Sequence, residues 1–248
     1  MPAPELKVAA IVPARLAATR LPDKPLADIG GKPMIQHVYE RASRAHLVSR
    51  VFVATPDVAI YDAVRAFGGD AVMTSPDHRS GTDRVAEAAV TLPEEYDVIA
   101  TVQGDEPLLD PSTVDAVVAP LVEDATLVMT SAMARLSPQR VADPNAVKVV
   151  TDNNGFALYF SRCPIPYDRN ASPLYAPMLH IGLYAYRRHF LRTFTALPPA
   201  TLEQIESLEQ LRALENGYRI RMVETPQSPE SVDTPEDLER VRALLSGG

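Results

Sequence analysis

Apolar residues in this chain follow two rhythms. Some runs are short and nearly unbroken; others place apolar side chains three and four positions apart. Lys7 to Pro13 (KVAAIVP) is of the first kind, the pattern of a strand buried on both faces. After a polar loop, Pro33 opens a helical stretch reaching about His46, with Met34, Ile35, Val38, Tyr39 and Ala42 on one stripe. The exchange then repeats: strand Arg50 to Thr55, helix Ala59 to Phe67, strand Ala71 to Met73, helix Thr82 to Ala89, strand Val98 to Val102, helix Pro111 to Val122. This order, with short connections, predicts an α/β fold in which helices cover both faces of a mainly parallel sheet.

The rhythm changes at about Leu127. Strand-like pieces follow at Leu127 to Ala134, Ala146 to Thr151, Ala157 to Ser161 and His180 to Tyr186, interrupted by the proline-rich segment Cys163 to Pro177. Helices return at Leu202 to Glu215 and Thr234 to Leu245, around a strand Ile220 to Val223. The expected division is therefore an α/β core, residues 1–128 and 188–248, carrying a smaller β-containing lobe, residues 129–187. In Leu202 to Leu214 the apolar residues recur strictly every third position, so on a helix of 3.6 residues per turn the stripe spirals. Such a helix is expected to be contacted on several sides, with Glu206, Glu209 and Gln210 facing a lobe boundary or pocket; a solvated charged face is the alternative. No internal repeat, heptad pattern or low-complexity tract is visible.

Composition narrows the class. With 46% hydrophobic and 23% charged residues in 248, the chain has material for a sizeable core. The net charge of −8 argues against nucleic acid or anionic lipid as partners, since both demand Lys and Arg on phosphates. The charge is unevenly laid out: residues 1–44 carry seven Lys or Arg against four acids, and residues 201–248 carry ten acids against five arginines. The one cysteine, Cys163, closes no intrachain disulfide. The run Val8 to Ala14 is too short and too proline-broken for a signal segment, and no apolar stretch nears the ~20 residues of a membrane span, so a cytoplasmic protein is expected.

Candidate chemistry sits where strands end. The loop Ala14 to Pro25 brings Arg15, Arg20 and Lys24 within ten residues, and loops at the carboxyl ends of parallel strands form the ligand crevice. Backbone N–H groups and fixed cations suit a triphosphate; a solvated basic loop is the competing reading. The spacing fits neither a Walker A loop nor GxGxxG. Val98 to Val102 runs into Gln103-Gly104-Asp105-Glu106-Pro107, where a carboxylate follows a glycine that lets a ligand approach; the arrangement suits a magnesium ligand, against a plain turn. Ser80-Gly81-Thr82-Asp83-Arg84 reads as a capping box, with free N–H groups that can also meet an anion. In Ser231 to Asp237, Pro235 suits the first helical position, so Thr234 is the N-cap and Asp237 completes another box, leaving Asp233 as a loop aspartate not needed for capping. His180 to Tyr186 alternates, placing His180, Gly182, Tyr184 and Tyr186 on one face; a pocket for a hydroxylated ligand competes with a core or interface face.

Taken in order, these segments resemble known enzymes. Ile11 to Arg15, Thr19 to Leu26 and Gly31 to Ile35 are similar to the opening signature of sugar-acid cytidylyltransferases. HRSGTDR from His78, VQGDEP from Val102, PNAVKVV from Pro144, ALYFSR from Ala157, HIGLYAYR from His180, LEQLR from Leu208 and VDTPEDLERV from Val232 resemble, more narrowly, the 3-deoxy-manno-octulosonate (Kdo) cytidylyltransferase family, over about residues 7–245. The resemblance implies a Rossmann-like nucleotidyltransferase fold, a homodimer, and a magnesium-dependent reaction of CTP with Kdo giving CMP-Kdo and pyrophosphate for lipopolysaccharide biosynthesis. It implies that Ala14, Arg15, Arg20 and Lys24 hold the triphosphate, with Arg15 and Lys24 stabilising charge on pyrophosphate. Ser80, Gly81, Thr82 and Arg84 face the cytosine and ribose, and Asp105 and Asp233 bind magnesium. Gln103, Arg162, His180, Tyr184, Glu209 and Gln210 meet Kdo, with Arg162 on its carboxylate. No Ser, Cys or His nucleophile is implied.

The chain departs from the family pattern in three places: Pro56 before Asp57 where an acidic residue is expected, Ser231 where glycine is expected, and a short segment Asp168 to Pro177. Two other readings are weighed: a cytidylyltransferase for a related sugar acid, such as 8-amino Kdo or a sialic acid, and a non-catalytic nucleotide-binding regulator.

Overall fold

The computed structural model describes residues 6–17, 21–172, 174–226 and 230–246. Its first half runs β1 (Lys7–Pro13), β2 (Asp28–Ile29), β3 (Lys32–Pro33), α1 (Met34–Ala42), β4 (Arg50–Thr55), α2 (Val58–Ala66), β5 (Ala71–Met73), α3 (Gly81–Thr91), β6 (Tyr96–Thr101) and α4 (Pro111–Glu123). The second half runs β7 (Met129–Arg135), β8 (Lys148–Thr151), β9 (Ala157–Ser161), β10 (Met178–Arg187), α5 (Arg188–Ala196), α6 (Thr201–Glu206), α7 (Leu211–Glu215), β11 (Arg221–Glu224) and α8 (Pro235–Ser246).

The main sheet has the order β11-β7-β10-β6-β1-β4-β5, with β8 and β9 attached to the side of β10. Pairs β6·β1, β1·β4, β4·β5 and β11·β7 are parallel, and β10 runs antiparallel to both neighbours. The mainly parallel α/β fold expected from the sequence is what forms. The unbroken apolar run of β1 is explained by its place between β4 and β6. Val8, Ala10 and Val12 join one core with α1, α2 and α4, while Ala9 and Ile11 join another with α3 and α5. The chain leaving β1 turns toward β4, and the chain leaving β6 turns toward β7. Their loops therefore diverge and leave a crevice at the shared carboxyl edge.

The structure departs from the sequence pattern, or adds to it, in four places. Within residues 129–187, β7 and β10, at the two ends, are interior strands of the main sheet, and the β8–β9 hairpin and the segment after it extend from the sheet. The change of rhythm at Leu127 reflects four successive strands, β7 to β10, with no α-helix between them among the described residues. The long helix from Leu202 is in fact α6 and α7, broken at Ser207, whose φ of 52° is left-handed. The break resolves the spiralling stripe: Leu208 and Leu211 turn into the core, while Leu202 and Ile205 stay exposed. Helix α5 was not expected from the sequence. Its Thr- and Phe-containing sequence has weak helix propensity, but Phe190, Leu191 and Phe194 form a buried stripe against the sheet. The short β2–β3 hairpin has no apolar run to announce it and is carried by Gly30 and Gly31 at φ of 62° and 84°.

In β10 the alternation holds despite an irregularity. Ile181 pairs with Ala132 but Tyr184 pairs with Ser131, so two extra residues, Gly182 and Leu183, are inserted. Ser131 Oγ fills the gap, donating toward the carbonyls of Ile181 (3.2 Å) and Leu183 (3.0 Å).

Candidate active site

The crevice holds a cavity of about 390 Å³ lined by residues from four loops, among them Arg15, Lys24, Ser80, Gln103, Asp105 and Asp233. The loop after β1 is fixed at its root: Ala14 N–H donates to the Ala54 carbonyl (2.9 Å), and Leu16 N–H to Asp57 Oδ2 (2.8 Å). Asp57 thus buttresses this loop. Arg15 is exposed at its rim, and Arg20 lies outside the described residues. Lys24 opens a single 3-10 turn, Lys24–Leu26, after Asp23 at a left-handed φ of 54°. Its ammonium reaches back to Asp105 Oδ2 at 2.8 Å and Asp233 Oδ1 at 3.2 Å. Burial disfavours the Lys24 charge, but Asp105 and then Asp233 outweigh it and raise its pKa.

Asp105 and Asp233 are distant in sequence and joined by backbone. Val232 N–H donates to the Asp105 carbonyl (2.9 Å), and the expected box at the start of α8 forms. Asp237 accepts from the N–H groups of Asp233 and Thr234 (3.0 Å each), while Thr234 Oγ1 accepts from Asp237 N–H (3.2 Å). Burial opposes ionisation of Asp237, but these N–H donors and Arg240 pull its pKa down to about 2. Ser231 has no positive φ, so a side chain there costs the turn nothing. Beside Asp105, Glu106 is buried with Oε2 unbonded among the described residues, and burial followed by the Asp105 charge pushes its pKa up to about 8. Burial thus favours its protonated form, which an acidic Asp-Glu pair in sequence gives no means of seeing.

The start of α3 forms the facing wall. Ser80 Oγ caps the helix through Asp83 N–H (3.1 Å). Arg84 is buried and donates to neutral acceptors, Thr74 Oγ1 (2.6 Å) and the Ser75 carbonyl (3.1 Å); burial and then the like charge of Arg15 lower its pKa. Two mutually repelling cations beside a helix start favour an anion between them. His78 and Arg79 line the same cavity, a place that their position in the HRSGTDR motif does not by itself reveal.

Of the residues expected at the sugar acid, only Gln103 lines this cavity; its Nε2 donates to the Gly182 carbonyl (2.7 Å). The others form a layer beside it. His180 packs edge-on to Phe160 with ring centres 4.9 Å apart and lies 5.4 Å from Tyr184. Gln210 Nε2 approaches His180 Nδ1 (3.5 Å), and His180 Nε2 meets Ser131 Oγ (3.1 Å), a donor order that assigns the proton to Nε2. Glu209 accepts from Thr82 Oγ1 (2.5 Å). Arg162 is not brought to the cavity. Its guanidinium donates to the carbonyls of Glu206 (2.7 Å), Pro144 (2.9 Å) and Ser207 (3.2 Å), so it straps β9 to the end of α6. The sequence could show its charge but not those three acceptors.

Burial lowers the His180 pKa to about 3. The unfolded chain protonates this ring below about 6.5 and the folded chain does not, so stability is held above that pH and lost as pH falls toward the folded value. Wild type is therefore expected to lose more stability than His180→Gln between about pH 7.5 and pH 4.5, by at most about 3 kcal/mol. Equal losses in denaturant titrations at both pH values would refute the neutral, buried ring.

A crevice at diverging strand ends, cations toward one wall and two carboxylates at the mouth define a site for nucleotidyl transfer. The family described as cytidylyltransferase matches residues 9–220, and the chain belongs to it. A 3-deoxy-manno-octulosonate cytidylyltransferase of Syntrophus aciditrophicus (strain SB) is 54% identical over 243 residues, 97% of this chain and 98% of that one. Another, of Solibacter usitatus (strain Ellin6076), is 52% identical over 240 residues, 96% and 94% of the two chains. The solved structure of CMP:2-keto-3-deoxy-manno-octonic acid synthetase complexed with CTP matches with a TM-score of 0.93 at 46% identity, covering 97% of this chain and 99% of that one.

Proposed function

We propose that the protein transfers CMP from CTP to 3-deoxy-D-manno-octulosonate (Kdo), releasing pyrophosphate. The observation that carries the reading is the meeting of Lys24, Asp105 and Asp233 at the crevice mouth, in a chain 54% identical to an enzyme of that name. The sugar's C2 hydroxyl attacks the α-phosphorus, a P–O bond forms, the bond to pyrophosphate breaks in line, and the hydroxyl proton is released. Arg15 and Lys24 take up charge on the departing pyrophosphate, and Ser80 and Gly81 N–H groups border the nucleotide. Gln103 sits between the cavity and β10, where it orients the sugar acid against His180 and Tyr184.

The two carboxylates fit magnesium. They already converge on one cation, the Lys24 ammonium, and magnesium takes one or two carboxylates together with substrate phosphates and water. When bound there, the ion supplies Lewis-acid polarisation of phosphate and a lowered pKa for the hydroxyl. Pairing of two chains belongs to the same reading and is supported by exposed Leu158, Tyr167 and Leu174, all on β9 or the segment following it. A cytoplasmic place is supported by the unpaired, exposed Cys163. Among the described residues, no helix is long and apolar enough to cross a membrane.

The test is magnesium-dependent pyrophosphate release with CTP and Kdo, beside ATP, GTP and UTP, and with 8-amino Kdo and a sialic acid as other acceptors. Turnover is expected for CTP with Kdo above every other pairing. Preference for another acid would move the substrate, and no release with any acid would leave a nucleotide-binding regulator.

A further inference from the structure

Two segments 127 residues apart meet at one hydrogen bond, Thr82 Oγ1 to Glu209 Oε2, 2.5 Å long. Thr82 is the second residue of α3. Ser80 and Gly81, just before it, line the nucleotide cavity; Thr82 itself does not, and its side chain is buried behind them. Glu209 lies in the turn between α6 and α7, after the left-handed Ser207, so no helix of its own fixes it. The nearest cation, Arg212, lies 3.9 Å from Glu209 Oε1 and is already bound to Glu203 through Nε (2.8 Å) and Nη2. The Thr82 hydroxyl is thus the short contact that holds the Glu209 carboxylate.

What surrounds Glu209 gives that contact a purpose. Its charge bears on the phenols of Tyr184 and Tyr186, both raised in pKa by burial first, and Tyr186 also meets Thr82. The next residue, Gln210, approaches His180. One hydroxyl therefore joins the helix start that borders the nucleotide to the aromatic face assigned to the sugar acid. We propose that Thr82 is a positioning residue that couples the two substrate sites, acting through Glu209 on the sugar acid instead of touching the nucleotide. A hydrogen bond to a carboxylate is stronger than one between neutral groups, and its loss leaves the acid free to turn. The inference rests on CTP and Kdo being the substrates, so wild-type turnover with that pair is measured first; its absence would refute the proposed reaction and not this hydrogen bond.

Given wild-type turnover, Thr82→Val removes the hydroxyl and keeps the shape. We expect the KM for Kdo to rise about tenfold, the KM for CTP to stay within about twofold, and Thr82→Ser to restore the Kdo value. In a double-mutant cycle, Thr82→Val should add nothing once Glu209→Ala is present. A rise in the CTP KM alone, no change in either KM, failure of Thr82→Ser to restore, or the same penalty on the Glu209→Ala background would each overturn the proposal. Should Thr82→Val fail to fold, Thr82→Ala is read against Thr82→Ser by the same criteria.

Discussion

Replacing Asp105 by alanine is expected to lower kcat by roughly two to three orders of magnitude while leaving the fold in place. The side chain is 30% exposed and shares Lys24 with Asp233, so its ion pair contributes at most about 1 kcal/mol to stability. What ties Asp105 to the α8 segment is its carbonyl, accepting from Val232 N–H, and that bond survives the substitution. Activity should therefore collapse with a Tm close to wild type. Asp105→Asn separates charge from shape: it keeps the volume, loses the carboxylate, and should be about as slow as alanine. Asp233→Ala is expected to act in the same direction. Steady-state pyrophosphate release beside a thermal melt decides the matter, and wild-type kcat in either alanine variant would refute the assignment of the two carboxylates.

Gly104→Ala is expected to be nearly as damaging for a steric reason. A Cβ at Gly104 would lie 2.9 Å from the Pro13 carbonyl oxygen and 3.5 Å from Val12 Cγ1. Neither can withdraw, because Val12 and Pro13 end a strand held between β4 and β6. The strain falls on the Gln103–Asp105 turn, moving Asp105 away from Lys24 and Asp233. Misplacement on the ångström scale costs about 10²-fold in rate, and overpacking of this kind costs about 1–3 kcal/mol in stability. The check is kcat and denaturant stability measured together. A variant with unchanged kcat would show that the close approach of these two loops does not set the site.

Much of this architecture was legible in the sequence because period and punctuation agreed there. The strands β1, β4, β5 and β9 begin and end with the apolar runs, and the box of Thr234 and Asp237 forms as its spacing requires. The strand-end motifs at Ala14–Arg15, Lys24 and Gln103–Asp105 do converge, as a parallel sheet demands, and the loop before α8 brings Asp233 to them. What sequence could not show was settled by distant partners. The family resemblance implies a carboxylate ligand for Arg162, yet its three acceptors in the fold are backbone carbonyls of a helix end and a loop. Lys148, buried on β8, donates to the carbonyls of Asp143 (3.0 Å) and Arg162, a strap invisible to local pattern. The interior positions of β7 and β10 were hidden for the same reason: the pairing of β10 with β6, and of β7 with β10 and β11, depends on topology, and the prolines between them spoke only of the connection.

The insertion in β10 gives that strand a reading frame of two. Because Gly182 and Leu183 enter as a pair, Ile181 and Ala185 stay with one core and Tyr184 and Tyr186 with the other. A single-residue insertion or deletion between Ile181 and Tyr184 would exchange those faces, sending the tyrosines toward α4 and an alanine toward α3. A change of two residues would keep every downstream side chain in phase and disturb only the local bend. Length variation in this strand is thus permitted in even steps, and the hydroxyl of Ser131, bonded across the gap, fills the space that the present step leaves.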